Sequence, residues 1–174
     1  MRAWILLLVA GAAGGADLRL GLVGTDTSHV TAFAKMLHDT ASPDHVSGAR
    51  IVAAYKGGTP DNASSAKYID QYTNELHAKW GVEIVPDIAS LCGKVDGILL
   101  TSVDGRPHLK EAREIFKCRK PVWIDKPLAA TLEDAREIAR LGREAGVPWW
   151  TSSSLRFAEV VTSVKSPGIT GAMT

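Results

Sequence analysis

The chain has 174 residues, 45% of them hydrophobic, enough for one domain with a real core. Its net charge of +1 supplies no basic field for nucleic acid or an anionic membrane surface, so neither is an expected partner. No repeat, low-complexity tract or long charge run is present.

Met1 and Arg2 precede the apolar run AWILLLVAGAAGGA, which ends in small residues at Ala16. A short positive region, an apolar core and a small-residue end read as a secretory signal peptide over residues 1–16. The run is too short for a comfortable membrane span. The alternative is a buried first element of the domain. Read as a signal, it sends the protein to a periplasm or the cell exterior, with no membrane span in the mature chain.

Leu18, Leu20, Leu22 and Val23 then form a first strand that stops at Gly24. Thr25, Asp26, Thr27 and Ser28 follow, and Val30, Phe33, Ala34 and Leu37 recur at helical spacing up to about Asp39. A strand that runs straight into a helix N-terminus is the phosphate-binding corner of a doubly wound α/β domain, because unpaired N–H groups and the helix dipole attract anions there. The fingerprint G-x-G-x-x-G keeps only its first glycine: Asp26 and His29 stand at the other two positions. A carboxylate about 4 Å from a phosphate costs up to about 4 kcal/mol at a near-surface dielectric. Gly24, Thr25, Asp26, Thr27 and Ser28 are therefore candidate cofactor residues, with helix capping by Asp26, Thr27 or Ser28 as the competing role.

Ala49 to Tyr55 is a second strand. Its exit carries Lys56, Gly57 and Gly58 where an acidic residue would hold a ribose 2′-hydroxyl. A lysine there suits a 2′-phosphate, which inclines the choice between NAD and NADP toward NADP; a solvated loop lysine is the plain alternative. Asp61 to Trp80 reads as a helix with Ile69, Tyr72 and Leu76 on one face, and Asn62-Ala63-Ser64 within it as a glycosylation sequon too short to carry weight. GVEIVPD is a third strand, and Ile88 with Leu91 marks a short helix.

Val95 to Ser102 is a continuous apolar run, as expected of a central parallel strand. Its polar exit offers Ser102, Asp104 and His108 as ligand residues, with capping of the next helix as the other role for the last two. Leu109, Ala112, Ile115 and Phe116 form that helix, and Lys120 to Ile124 the fifth strand, ending in Asp125-Lys126-Pro127. Thr131 and Asp134 cap a helix with Leu132, Ala135, Ile138 and Leu141 on its apolar face; Gly146 ends it, and Val147 to Ser152 is a sixth strand with Trp149 and Trp150 on opposite faces. Six strands alternating with helices give a doubly wound, mostly parallel, Rossmann-like α/β sheet over residues 17–157.

Cys92 and Cys118 fit no metal spacing, and each precedes a strand. They read by default as two small buried hydrophobes, a cross-link being open to them only if export is real and their Cα atoms fall within ~7 Å. The five histidines are scattered, so no metal site is expected.

GLVGTDTSHV, SVDGRPHLKEA, PVWIDKPLAATLEDAREIARLGREAGV and SSSLRF together resemble the N-terminal domain of the glucose–fructose oxidoreductase / inositol dehydrogenase (Gfo/Idh/MocA) family. The resemblance covers about Leu18 to Phe157, and its Glu-Lys-Pro motif stands here as Asp125-Lys126-Pro127. It implies NAD(P)-dependent chemistry at a carbinol or carbonyl of a sugar, cyclitol or related metabolite. It matches Lys126 to the family lysine that contacts substrate and nicotinamide, and places Asp125 beside it at the reacting centre. Ser154 and Arg156 would floor the crevice. The family's acid–base residue comes from a second, α+β domain, of which residues 158–174 read as a linker and first strand cut short. That implies a fragment or truncated product and leaves homo-oligomerisation open. A non-catalytic exported domain, binding a sugar or partner protein through Asp104, Arg106 and Asp125, is the competing expectation, and an inactive remnant a third.

Overall fold

The computed structural model describes residues 16–153 with 156, 158, 159 and 163. The expected signal peptide thus lies outside the described residues up to residue 15, as do Ser154 and most of the expected C-terminal segment. Among the described residues no helix is long and apolar enough to cross a membrane.

Among the described residues eleven elements alternate: β1 (Leu18–Val23), α1 (Ser28–His38), β2 (Ala49–Tyr55), α2 (Ala63–Trp80), β3 (Glu83–Val85), α3 (Ile88–Cys92), β4 (Gly97–Leu100), α4 (His108–Lys117), β5 (Val122–Ile124), α5 (Leu132–Ala145) and β6 (Trp149–Thr151). The strands form one parallel sheet in the order β3-β2-β1-β4-β5-β6. This is the doubly wound arrangement, whose order reverses between β1 and β4.

Parallel strands buried on both faces need apolar residues in succession. Leu22 and Val23 show why: Leu22 packs with Val30, Ala34 and Leu76 of α1 and α2, whereas Val23 packs with Leu91, Ile115 and Ile138 of α3, α4 and α5. At the amino end of the β1/β4 seam, Arg19 grips Asp96. Its backbone N–H donates to Oδ2 at 2.9 Å, and its guanidinium donates to both carboxylate oxygens at 3.1 and 2.7 Å.

Local signals set the helix ends. The Thr131 hydroxyl accepts from Asp134 N at 3.1 Å, and Gly146 closes α5 with φ +65°. Two expectations need correction. Leu132 is exposed, because it is the first residue of α5 and its turn precedes the contact with the sheet. Cys92 and Cys118 are joined in a disulfide, Cα atoms 5.2 Å apart, because α3 and α4 end side by side. Trp149 packs on Phe116 and against Gly142, where any Cβ would strike the indole, while Trp150 is 52% exposed on the opposite face.

Candidate functional site

The crevice lies at the carboxyl edge, where β1, β4 and β5 release their loops. Gly24 leaves β1 with φ +87°, and a Cβ on it would run into the Ser102 backbone and hydroxyl. Only glycine takes that conformation at so close an approach. Thr101 reinforces the contact, its hydroxyl donating to the carbonyls of Gly24 at 2.6 Å and Val23 at 3.2 Å.

The residues after Gly24 divide their work. Thr25 is buried, with its amide on Lys56 O at 2.9 Å and its hydroxyl paired with that of Thr73 at 2.6 Å; it ties the corner to α2 and presents nothing to a ligand. Asp26, 1% exposed, does not cap α1: its Oδ1 accepts from Val103 N at 3.0 Å, and its buried Oδ2 has no hydrogen-bond partner. Thr27 is the cap, its hydroxyl accepting from His29 N at 3.4 Å, and Ser28 is the exposed first residue of the helix.

The β4 exit is held from beneath. Ser102 Oγ donates to the Glu111 carboxylate, 3.0 and 2.8 Å from its two oxygens. Burial pushes the Glu111 carboxyl up to about 7; the Ser102 bond opposes the rise and the charge of Asp26 adds to it. His108 is fully buried with Nε2 2.8 Å from Ser102 O and Nδ1 3.2 Å from Leu128 O, so it braces two loops below the crevice, out of reach of a ligand. Nor does it or Asp104 cap α4, whose N-cap is Pro107 without a side-chain bond. Asp104 accepts from Arg106 N and Nε at 2.9 Å, from Arg106 Nη2 at 2.6 Å and from Asn62 Nδ2 at 3.2 Å. Those bonds, Arg106 foremost, hold its carboxyl far below the usual carboxylate range. Arg106 also forks onto Asp61 at 2.8 and 2.9 Å, so this cluster straps the β2 and β4 exits together.

At the β5 exit Asp125 is 3% exposed. Its Oδ1 accepts from Lys126 N at 2.7 Å, and its Oδ2 lies 2.5 Å from Nδ1 of His29. Lys126 precedes a cis peptide to Pro127, and its ammonium is exposed without an ion pair among the described residues. Reasoning from sequence placed His29 only at a failed glycine position and missed this contact, which spans 96 residues and leaves no local signal.

The remaining candidates stand apart. Lys56 Nζ is 2.5 Å from Asp70 Oδ1, in an exposed ion pair on the surface of α2. Arg156 is exposed.

Beside the β2 exit is a cavity of about 290 Å³ lined by Tyr55, Gly57, Gly58, Ile88, Lys110 and Glu111. A Cβ on Gly58 would strike Ile69, and one on Gly57 would come within 3.2 Å of Gly24 Cα and Glu111 Oε1, so the two glycines keep this cradle open. The same lining carries the carboxylates of Asp87 and Glu114 beside Glu111 and Lys110, and the cavity lies on the same sheet edge as the glycine corner at the α1 N-terminus and the lysine at the β5 exit.

Fold and crevice define a dinucleotide-binding, doubly wound domain. Residues 18–152 match the family described as "Oxidoreductase family, NAD-binding Rossmann fold" (GFO_IDH_MocA), and the chain belongs to that family. A 1,5-anhydro-D-fructose reductase of Ensifer adhaerens is 37% identical over 75 residues, which are 42% of this chain and 22% of that protein. The crystal structure of the WlbA dehydrogenase from Bordetella pertussis, in complex with NADH and UDP-GlcNAcA, is similar with a TM-score of 0.65 and 18% identity, over 86% of this chain and 41% of its own. Biliverdin reductase from Synechocystis, in complex with biliverdin and NADP+, gives a TM-score of 0.58 and 17% identity, over 84% of this chain and 41% of its own. At such identities the two structures establish a shared fold. This chain spans less than half the length of each of these relatives.

Proposed function

We propose that the chain carries the cofactor domain of an exported NAD(P)-dependent oxidoreductase that acts on a carbinol or carbonyl of a sugar, cyclitol or related small metabolite. The observation that carries the reading is the meeting, at one sheet edge, of the Gly24–Ser102 contact, the N-terminus of α1 and the uncommitted ammonium of Lys126. The apolar run ending at Ala16 supports export, and the Ensifer reductase supports a sugar-like substrate.

When bound, the dinucleotide supplies the hydride acceptor or donor. The amides of Thr27 and Ser28 at the start of α1 would hold its diphosphate, and the cavity at Tyr55, Gly57 and Gly58 its adenosine half. Thr25, Asp26, Ser102 and His108 hold the crevice in shape from behind. Lys126 would hydrogen-bond the reacting oxygen and stabilise its alkoxide character. Lys56, in an exposed pair with Asp70, and Lys110, lining the cavity, are the lysines on this side of the sheet, and the choice between NAD and NADP falls to measurement.

Calorimetric titration of the purified chain with NADH and then NADPH tests the reading. Saturation by either, weakened in Lys126→Ala with the fold retained, is the expected result. No heat from either, on a chain that melts cooperatively, overturns it.

A further inference from the structure

A sheet of parallel strands is covered by helices on both faces. Here one face is complete: α3, α4 and α5 pack over the side of Val23, Leu100 and Ile124. On the other, α1 and α2 cover β1, β2 and β3, and α1 reaches β5 through Phe33, whose ring meets Trp123 edge-on at 5.6 Å. Past that ring the face is open. Leu99, Trp123 and Trp150 stand in register across β4, β5 and β6, and with Leu18, Leu20 and Pro121 they line an apolar groove of about 200 Å³. Asp96, at the same groove, is bonded to Arg19. Leu18 is 58% exposed and Trp150 52%, and a contiguous apolar patch of this kind marks a place of contact.

The chain itself supplies the cover. β6 ends at Thr151, and α5 already fills the opposite face of β6 where Gly142 meets Trp149, so the next segment has the open face beside it. In that segment Phe157, Val160, Val161 and Val164 recur at helical spacing, and Pro167-Gly168 closes the pattern. Glu159 and Ser163, four residues apart, have helical backbone and exposed side chains, as the outward side of such a helix requires. We infer that Phe157 to Val164 forms an amphipathic helix seated on the Leu99–Trp123–Trp150 face, so that the start of the expected linker completes the first domain. A segment tethered within a few residues of β6 acts at high effective concentration, which favours it over a second copy of the chain as the occupant. The same docking holds Arg156, whose N–H donates to Ser153 O at 3.1 Å, at the β6 exit, one strand away from the exit that carries Lys126. The inference stands independently of the oxidoreductase reading.

Methyl–aromatic NOE spectra of the 13C-labelled 174-residue chain, with the mass of the same sample by light scattering, test it. The expected result is NOEs from the Trp150 and Trp123 rings to methyls of Val160, Val161 or Val164 in a monomer. Val161→Asp removes them and increases the broadening of the Trp150 ring signals by a soluble gadolinium chelate, while Glu159→Gln, on the outward side, leaves both unchanged. Absence of these NOEs in a monomer that melts cooperatively overturns the inference. So does a dimer in which the Trp150 ring meets methyls of the other copy alone, read from a mixture of labelled and unlabelled chains; the face then serves self-association. If Val161→Asp does not fold, the wild-type NOEs decide.

Discussion

Asp26 accepts the Val103 amide across the seam between β1 and β4, at 3.0 Å, with its second carboxylate oxygen buried and unpartnered. The residue in the fingerprint's second glycine position therefore serves the neighbouring loop. Its side chain is drawn beneath the corner, while the start of α1 remains to meet an anion.

Asp26→Ala leaves the Val103 N–H without its acceptor, and stability is expected to fall by about 1–3 kcal/mol. Asp26→Asn keeps an oxygen in the same place and recovers most of the loss. Urea midpoints of the three proteins, with hydrogen exchange at the Val103 amide, check both statements.

Glu111 makes stability fall as pH rises. Its carboxyl titrates at about 7 in the folded chain against an ordinary 4.5. Below 4.5 it is protonated in folded and unfolded chains alike. Between those values the unfolded chain releases a proton that the folded one keeps, so the cost grows with pH and is complete above 7, at up to about 3 kcal/mol. Glu111→Gln still accepts from Ser102 and carries no charge. It should melt higher than the wild type at pH 8 and at nearly the same temperature at pH 4.5.

Gly24→Ala places a methyl against the Ser102 backbone at a φ of +87°. Strain and overlap together are expected to cost about 2–4 kcal/mol. Gly81→Ala is the control, since φ there is +68° and the added Cβ meets nothing. It should lose less than half as much on chemical denaturation.

The Cys92–Cys118 disulfide closes a loop of 26 residues between the ends of α3 and α4. Loop-closure entropy assigns such a link about 3 kcal/mol. The Cys92→Ala/Cys118→Ala chain should unfold at correspondingly lower urea, and the wild type should approach it once a reductant is added. Thiol alkylation before and after reduction, read by mass, gives the redox state directly.

Strand and helix positions were legible in the sequence because each rests on local patterns: the apolar run from Leu18 to Val23, the Thr131–Asp134 cap, the stop at Gly146. Side-chain roles at the crevice were not. Thr25 finds Thr73, Asp26 finds Val103 and His29 finds Asp125 across 48, 77 and 96 residues, and no spacing along the chain encodes such meetings. His108 misled for a related reason. A histidine next to a helix start looks like a cap or ligand until the fold buries it between two carbonyls. The disulfide depended on where α3 and α4 end relative to each other, which only packing decides.

Arg19–Asp96 and Asp26–Val103 fasten the two ends of the β1/β4 seam, and both join residues 77 apart. β1 finds its first neighbour, β2, much sooner. In chain order β1, β2 and β3 all precede β4, so one side of β1 is an open edge until β4 and Val103 pack against it. Long-separated pairings of this kind slow folding, and an unpaired strand edge invites the wrong partner. The central strand of the finished sheet is thus the segment most in need of shelter until the sheet closes.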